Sequence, residues 1–319
     1  MIERPIALVL GAGASKPYNF PTARELLTDV RYALTGLAFR QRLYGAGYSE
    51  AQVRDLAKLL AASHVGSLDG LLELPVHTGL VGVGKAAIAA SLLQHELPQK
   101  LLPDAAKDDW YEHLFRRMLD KAPTLDAFLQ NRVAFVTFNY DRSLEHFLLT
   151  TLCSTYGATP AEIAAAVSRN RLNIVHVYGS LGALPDLTTG PMSMPYGVDP
   201  NLGGILLKYA ADSIHIAGEP GAQAGIDAAQ SALMSCERIC FLGFGYRPEN
   251  VDRLELNTTL RKGASVFGSA YQSLPGERGD IKRMFGAAGH KITLAKSEAG
   301  ALDALRRLPV LSSFDLPPT

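Results

Sequence analysis

Cysteine is scarce: the 319-residue chain holds three, Cys153, Cys236 and Cys240. None belongs to a C-x-x-C pair, and a four-cysteine zinc site is out of reach within one chain. They read as buried free thiols in a reducing compartment. Charge of one sign is also lacking. Lys plus Arg number 31 and Asp plus Glu number 31, for a formal net charge of zero. Such a balance offers no basic field to nucleic acid or anionic lipid. The Arg doublets at 116–117 and 306–307 read as solvated helix faces. The opening MIERPIALVL carries a charged pair and Pro5 before its apolar stretch, which is far too short to span a bilayer. No signal-peptide pattern follows, so a cytoplasmic protein with no membrane or direct nucleic-acid partner is expected. Internal repeats and low-complexity runs are missing. Neither a Ser-His-Asp order nor a nucleophile elbow is visible. His64, His77 and His95 share no ligand spacing, and no metal is expected.

What is present starts with residues 5–15, PIALVLGAGAS, where a short apolar run breaks into a turn of small residues. A buried strand ending this way leaves backbone N–H groups at the sheet edge. Gly11 and Gly13 lack Cβ atoms, so a phosphate could approach closely. The context suits a nucleotide-binding α/β domain. Lys16 stands where the GxGxxG fingerprint wants a third small residue, so the match is incomplete, and a tight turn without ligand explains the segment too.

With 47% hydrophobic and 19% charged residues, the composition is that of an ordinary globular protein. The length suits one large domain or two modest ones. Pro21-Thr22-Ala23-Arg24 opens a helix running to about Leu37, with Glu25 in its first turn. Helical spacing dominates from about Phe39 to Phe128, an apparent helical module inserted between the first two core strands, with no recognisable chemistry of its own. Within it, Ser67-Leu68-Asp69-Gly70 reads as a helix start, and a functional role for Asp69 competes with that plain reading. Strand character returns at Val133–Phe138, followed by a helix from Arg142 to about Leu149. Further strands are expected at Asn173–Tyr178, Arg238–Leu242, Ala264–Phe267 and Lys291–Leu294, with helices at Gly225–Met234 and about Ser297–Leu308. Residues 183–204 read as a surface loop near a site, and the tail FDLPPT as loose. Alternating strands and helices argue a Rossmann-like α/β fold, a doubly wound parallel sheet.

In such sheets, ligands bind beyond the carboxyl ends of the strands. Five exits carry small or polar residues: GAGAS, Asn139-Tyr140-Asp141, Gly179-Ser180, Gly243-Phe244-Gly245 and Gly268-Ser269. Together they suggest one dinucleotide-sized crevice. Asn139 and Asp141 lie two apart and point to one side if strand geometry persists. Such a pair can hold a ribose hydroxyl, a carboxamide or a water, although Asp141 is equally a natural helix N-cap. His176 and Tyr178 also lie two apart and share a face. His176 is then a proton acceptor or a satisfied core residue. Ser15 reads as a phosphate donor or a local cap, and Asn250 as a ribose contact or a polar helix-start residue.

The ordered set GAGASKPYNFPT, TFNYD, HVYGSLG and FLGFGY resembles the sirtuin-like (silent information regulator-like) NAD-consuming proteins. The likeness covers most of the chain outside the insertion and implies a single NAD-binding domain over 1–319. It implies that Gly11, Ala12, Gly13, Ala14 and Ser15, with Pro21 and Thr22, face the pyrophosphate side. Asn139 would orient the nicotinamide ribose or the attacking water, and Asp141 would accept from the carboxamide. Gly243, Phe244 and Gly245 would line the adenosine side, with Gly268 and Ser269 near the adenine ribose, and Gly179, Ser180 and Asn250 beside the nucleotide. Lacking the four-cysteine zinc module of the deacetylases, the chain is similar to the zinc-free bacterial branch. That branch implies a NAD glycohydrolase of anti-phage defence, acting as a homo-oligomer or with a partner ATPase. One departure stands out: the family's general-base histidine precedes the glycine of its turn, and here that position is Tyr178. His176 lies two residues back, about 6–7 Å along a strand. A second departure is Asn19 before Phe20-Pro21, where relatives carry glycine. A NAD- or ADP-ribose-sensing module without turnover is the alternative, and a protein deacylase is a more distant one.

Overall fold

The computed structural model describes residues 1–169, 172–188, 190, 192–199 and 203–312. Six strands form one parallel sheet: β1 (Ile6–Leu10), β2 (Val133–Thr137), β3 (Asn173–His176), β4 (Arg238–Leu242), β5 (Ser265–Gly268) and β6 (Ile292–Leu294). Their order across the sheet is β3-β2-β1-β4-β5-β6. This is the Rossmann-like α/β arrangement expected from the alternating pattern. Every residue of β1, β2 and β4 is buried, as a strand covered on both faces requires. β1 lies between β2 and β4, with Leu10 level with Thr137 and Leu242. Strand order reverses around β1, so the chain leaves its two neighbours in opposite directions and a crevice opens above their exits.

The chain between β1 and β2 is helical: α1 (Ala12–Ser15), α2 (Ala23–Ala33), α3 (Leu37–Gly45), α4 (Glu50–Ala62), α5 (Leu68–Leu72), α6 (Val81–Leu92), α7 (Trp110–Leu119) and α8 (Leu125–Phe128). Thr22 caps α2 in a capping box with Glu25, so this helix starts two residues later than Pro21 suggests. α6 is apolar on most of its surface, with its one charged residue, Lys85, paired with Glu219 at 3.1 Å, and it packs against α2, α3 and the later helix α11 (Gly204–Ser213). The stretch Pro75–His95 is long and apolar enough to cross a membrane, but 61% of its most apolar window is buried inside this protein.

After β2, α9 (Ser143–Tyr156) runs about two turns past the expected end, stopping where Gly157 takes a left-handed φ of 63°, and α10 (Pro160–Ser168) follows. β3 stops at His176, because residues 177–178 turn away. α12 (Pro220–Met234) starts five residues earlier than expected, at a proline suited to a first helical turn. The helix near the C-terminus is shorter than expected, Ala301–Arg307. The tail FDLPPT lies outside the described residues, as does part of the 183–204 loop. Cys236 and Cys240 are buried and Cys153 is half-buried, all three as free thiols.

Candidate functional site

Three strand exits meet over the centre of the sheet. The turn after β1 packs directly on the turn after β4. Gly13 N–H donates to Gly243 O at 3.0 Å, and Gly11 N–H to Leu242 O at 3.0 Å. A Cβ on Gly11 would lie 2.6 Å from Gly243 O and 2.7 Å from Phe244 Cα. Gly243 has φ +55°, and a Cβ there would strike the Ala14 backbone nitrogen. The absence of side chains is therefore used first for backbone-on-backbone packing. Much of the phosphate-cradle capacity read from GAGAS is spent internally, since the N–H groups of Gly11, Gly13 and Ala14 all have protein acceptors.

Neighbouring elements brace this double turn. Ser269 Oγ accepts from Gly243 N–H at 2.8 Å. Trp110 Nε1 donates to Ala14 O at 2.7 Å from the start of α7. Tyr18 stacks on Tyr111 with ring centroids 3.9 Å apart, and its hydroxyl accepts from Tyr111 N–H at 2.8 Å and donates to Asp109 Oδ1 at 2.9 Å. The helical insertion thus clamps the segment that follows β1.

Above these turns lies a cleft of about 540 Å³, within the size range of small-molecule sites. Gly11, Ala12, Gly13 and Ser15 line it beside Pro21 and Thr22. Asn139 and Asp141 line it from the β2 exit. Gly243, Phe244 and Gly245, with Asn250 and Ser269, close the opposite side. A Cβ on Gly245 would meet nothing within 4 Å, so its backbone edge is open to a ligand. Phe138 and Phe244, edge to face at 5.0 Å, also line the cleft.

The Asn139 amide has a defined orientation. Its Nδ2 donates to Gly11 O and to Ser15 Oγ, each at 3.0 Å. Gly11 O accepts only, so the amino group must face it. Both amide hydrogens are thereby used, and Oδ1 is left as an acceptor with no partner among the described residues. Asp141 Oδ1 accepts from Ser143 N–H at 3.1 Å and from the Ser143 hydroxyl, so it satisfies the first N–H of α9 from one residue before the N-cap, which is Arg142 and not Asp141 as the sequence suggests. Asp141 nevertheless reaches the cleft. Burial raises its carboxyl above the ordinary range, against the pull of the Ser143 and Ser15 hydroxyls.

Other expected residues fall outside the cleft. His176 Nδ1 donates to Asn139 O at 2.9 Å, and its Nε2 pairs with Glu145 on α9. Both partners are acceptors, so both ring nitrogens must donate and the ring is an imidazolium. It braces the Asn139 backbone and has no free nitrogen with which to take a proton. Tyr178 follows the end of β3, so strand alternation no longer aligns it with His176. Its hydroxyl accepts from Arg253 Nη1 at 2.6 Å and donates to Asn250 Oδ1 at 3.1 Å. Gly179 is bridged antiparallel to Ile214, and Ser180 Oγ turns to Gly182 O at 3.5 Å. Ala14 is fully buried in the core. The Tyr246 ring covers Gly268 so tightly that a Cβ would strike its hydroxyl.

The His176–Glu145 pair carries a pH signature. Burial opposes the imidazolium, but the Glu145 carboxylate beside it prevails and holds the pKa above the ordinary value. A histidine with a raised folded pKa contributes stability that is complete below about 6.5 and fades as pH rises through the folded value. Urea denaturation across that window should show wild-type stability falling with rising pH. Glu145→Gln should be less stable at low pH and nearly flat through the window. An equal slope in both proteins would show that the pair is not the source.

Two cleft residues escape a sequence reading, and a third carries two readings. Arg24, exposed in the first turn of α2, lines the cleft with no side-chain partner among the described residues. It adds to the positive end of an eleven-residue helix. Arg247, from the loop after β4, also lines the cleft, and its Nη1 donates to Ser67 Oγ at 2.7 Å. Asp69 of α5 enters the same cleft. The signal for Arg24 was its place just after Pro21-Thr22 at a helix start, nothing local marks Arg247, and Asp69 stands in the sequence as a candidate beside a plain helix-start reading.

A second, smaller cavity of about 50 Å³ adjoins the cleft, and Asp69, Phe138, Tyr140, Arg247 and Asn250 line both. Among the described residues, no group of three or more His, Cys, Asp or Glu side chains is arranged to hold a metal ion.

A parallel six-stranded sheet with a cleft over the exits of its central strands defines a Rossmann-like α/β protein. No model of a known protein family matches the chain, and no curated protein matches it either.

Proposed function

We propose that the chain is a NAD glycohydrolase, cleaving NAD to nicotinamide and ADP-ribose. The observation that carries this reading is the Asn139–Asp141 pair at a strand exit, inside a cleft that also holds the unpaired Arg24 at a helix N-terminus. Arg24 and the α2 N-terminus suit the pyrophosphate. Asn139 Oδ1 suits a ribose hydroxyl or the attacking water, since its amide hydrogens are taken. The second oxygen of Asp141 suits the carboxamide of nicotinamide. Rupture of the glycosidic bond needs stabilisation of an oxocarbenium-like state and a positioned water more than a strong nucleophile. Following the family resemblance, the reaction belongs to anti-phage defence, with NAD loss halting an infected cell and assembly or a partner ATPase restraining the enzyme.

A second reading is favoured by one observation. His176 is tied to Glu145, and Tyr178 to Arg253 and Asn250, so neither offers a base to the cleft. The chain would then bind NAD or ADP-ribose and regulate a partner.

Nicotinamide release from excess NAD separates the two readings. The hydrolase releases nicotinamide without any acylated peptide, and more in one oligomeric fraction than in others. Nucleotide binding by calorimetry with no release in any fraction, with or without a partner, leaves the sensing module. Release only with an acylated peptide would mark a deacylase.

A further inference from the structure

With His176 and Tyr178 both engaged, the hydrolase reading lacks a group to take the proton of the attacking water. The helical insertion supplies one. Asp69 is half-buried and lines both the main cleft and the small cavity beside it. No other residue among those described donates a hydrogen bond to its carboxyl or pairs with it in an ion bridge. The small cavity, about 50 Å³, is polar and has room for a few waters at roughly 10–15 Å³ each.

The other candidate bases in that wall are occupied or remote. Glu73 is held by Arg253 Nη2 at 2.9 Å. The Tyr178 hydroxyl carries the two hydrogen bonds described above. His215 lines the small cavity but not the cleft. Asp141 lines the cleft but not the small cavity, and Ser143 holds one of its oxygens. Asp69 alone among these carboxyl and imidazole groups borders both spaces.

Its position is fixed from two sides. Ser67 caps α5, its Oγ accepting from Gly70 N–H at 3.2 Å, while Arg247 donates to the same Oγ from across the cleft. Arg247 also lies over Gly70, where a Cβ would come within 2.8 Å of Nη2. Asp69 is not itself the cap, so its carboxyl is free of that duty.

We propose that Asp69 is the general base of the hydrolysis, drawing a proton from a water held in the small cavity as that water attacks the nicotinamide ribose. This role rests on the NAD-hydrolase reading. The water oxygen bonds to C1′ of the ribose, and the C1′–N bond to nicotinamide breaks, its electron pair returning to the pyridinium ring. The proton passes from water to the Asp69 carboxylate and then to solvent. The products are ADP-ribose, neutral nicotinamide and one proton. Burial, only partly offset by Arg247, raises the Asp69 pKa above the ordinary range, which makes the carboxylate a stronger base.

The test compares wild type, Asp69→Asn and Asp69→Gly in nicotinamide release, with NAD binding followed by calorimetry. Both variants should bind NAD and lose kcat roughly 100-fold, the loss typical of a missing acid–base group, with little change in KM. Sodium azide is the probe for the missing base, because the azide ion attacks C1′ with no proton to lose. In Asp69→Gly it should restore release at least tenfold and give ADP-ribosyl azide by mass spectrometry, while leaving wild type unaccelerated. Wild-type rates in the variants overturn the proposal. So does a slow variant that binds NAD yet ignores azide. Loss of NAD binding in both variants also overturns it, since Asp69 would then be a binding group. A wild type that binds NAD and releases no nicotinamide fails the hydrolase reading itself, and the role of Asp69 falls with it.

Discussion

Asn139→Ala should lower nicotinamide release on the order of 10³-fold, at the upper end of what removing one positioned polar group costs. The effect has two parts. The acceptor Oδ1 disappears from the cleft, and with it the contact that would hold a ribose hydroxyl or water. The two donated bonds to Gly11 O and Ser15 Oγ disappear as well, leaving a buried carbonyl without that donor. Their loss should cost about 1–3 kcal/mol of stability, visible as a lower urea midpoint with the protein still folded. Asn139→Asp separates the parts. Its carboxylate keeps an acceptor in the cleft but cannot donate to Gly11 O, so it should be less stable than wild type. Full turnover in Asn139→Ala would remove the amide from any catalytic role.

Glu96→Ala should destabilise the fold by about 3–5 kcal/mol, because it strands a buried guanidinium. The side chains of Arg142 and Glu96 are 1% and 0% exposed. Arg142 Nε and Nη2 meet the two carboxylate oxygens at 2.9 and 2.6 Å. The same guanidinium donates to Met194 O at 2.6 Å, Pro195 O at 3.2 Å and Gly182 O at 3.4 Å, and Glu96 Oε2 accepts from Gly197 N–H at 3.3 Å. One pair therefore fastens the helical insertion, the start of α9 and the loop after β3 to one another. Replacing both partners with methionine removes the uncompensated charge but leaves those loop carbonyls without donors. The double variant should thus recover only part of the loss. Denaturant titration of wild type and the two variants checks the order, and Glu96→Ala as stable as wild type would contradict it.

The sheet was legible because its signals are local. Each central strand is a short apolar run closed by small residues, and alternation with helices leaves few topologies. Asn139 and Asp141 were legible for the same reason, lying next to a strand end. The partners that decide their chemistry were not. Glu145 meets His176 across 31 residues, Arg247 meets Ser67 across 180, and Glu96 meets Arg142 across 46. No periodicity within one segment reveals such meetings. The expectation that His176 and Tyr178 share a face failed where the strand itself stopped, a boundary set by the turn at 177–178. The glycines of GAGAS announced a tight approach but not its partner, which is the Gly243 backbone first. Asp69 stood between helix-start chemistry and a functional role, and only the folding of the insertion over the β1 and β4 exits brings it to the cleft.

The bare contact between the Gly11–Gly13 and Gly243–Phe244 backbones also limits how the site can breathe. With no compressible side chains between them, the floor has nothing to yield. On the NAD-hydrolase reading, the nucleotide would come and go past the side of the cleft lined by Phe20 to Arg24, Gly66 and Asp69. On the same reading, those helical edges would set the tempo of admission, and a sister subunit or other protein gripping them would hold the door.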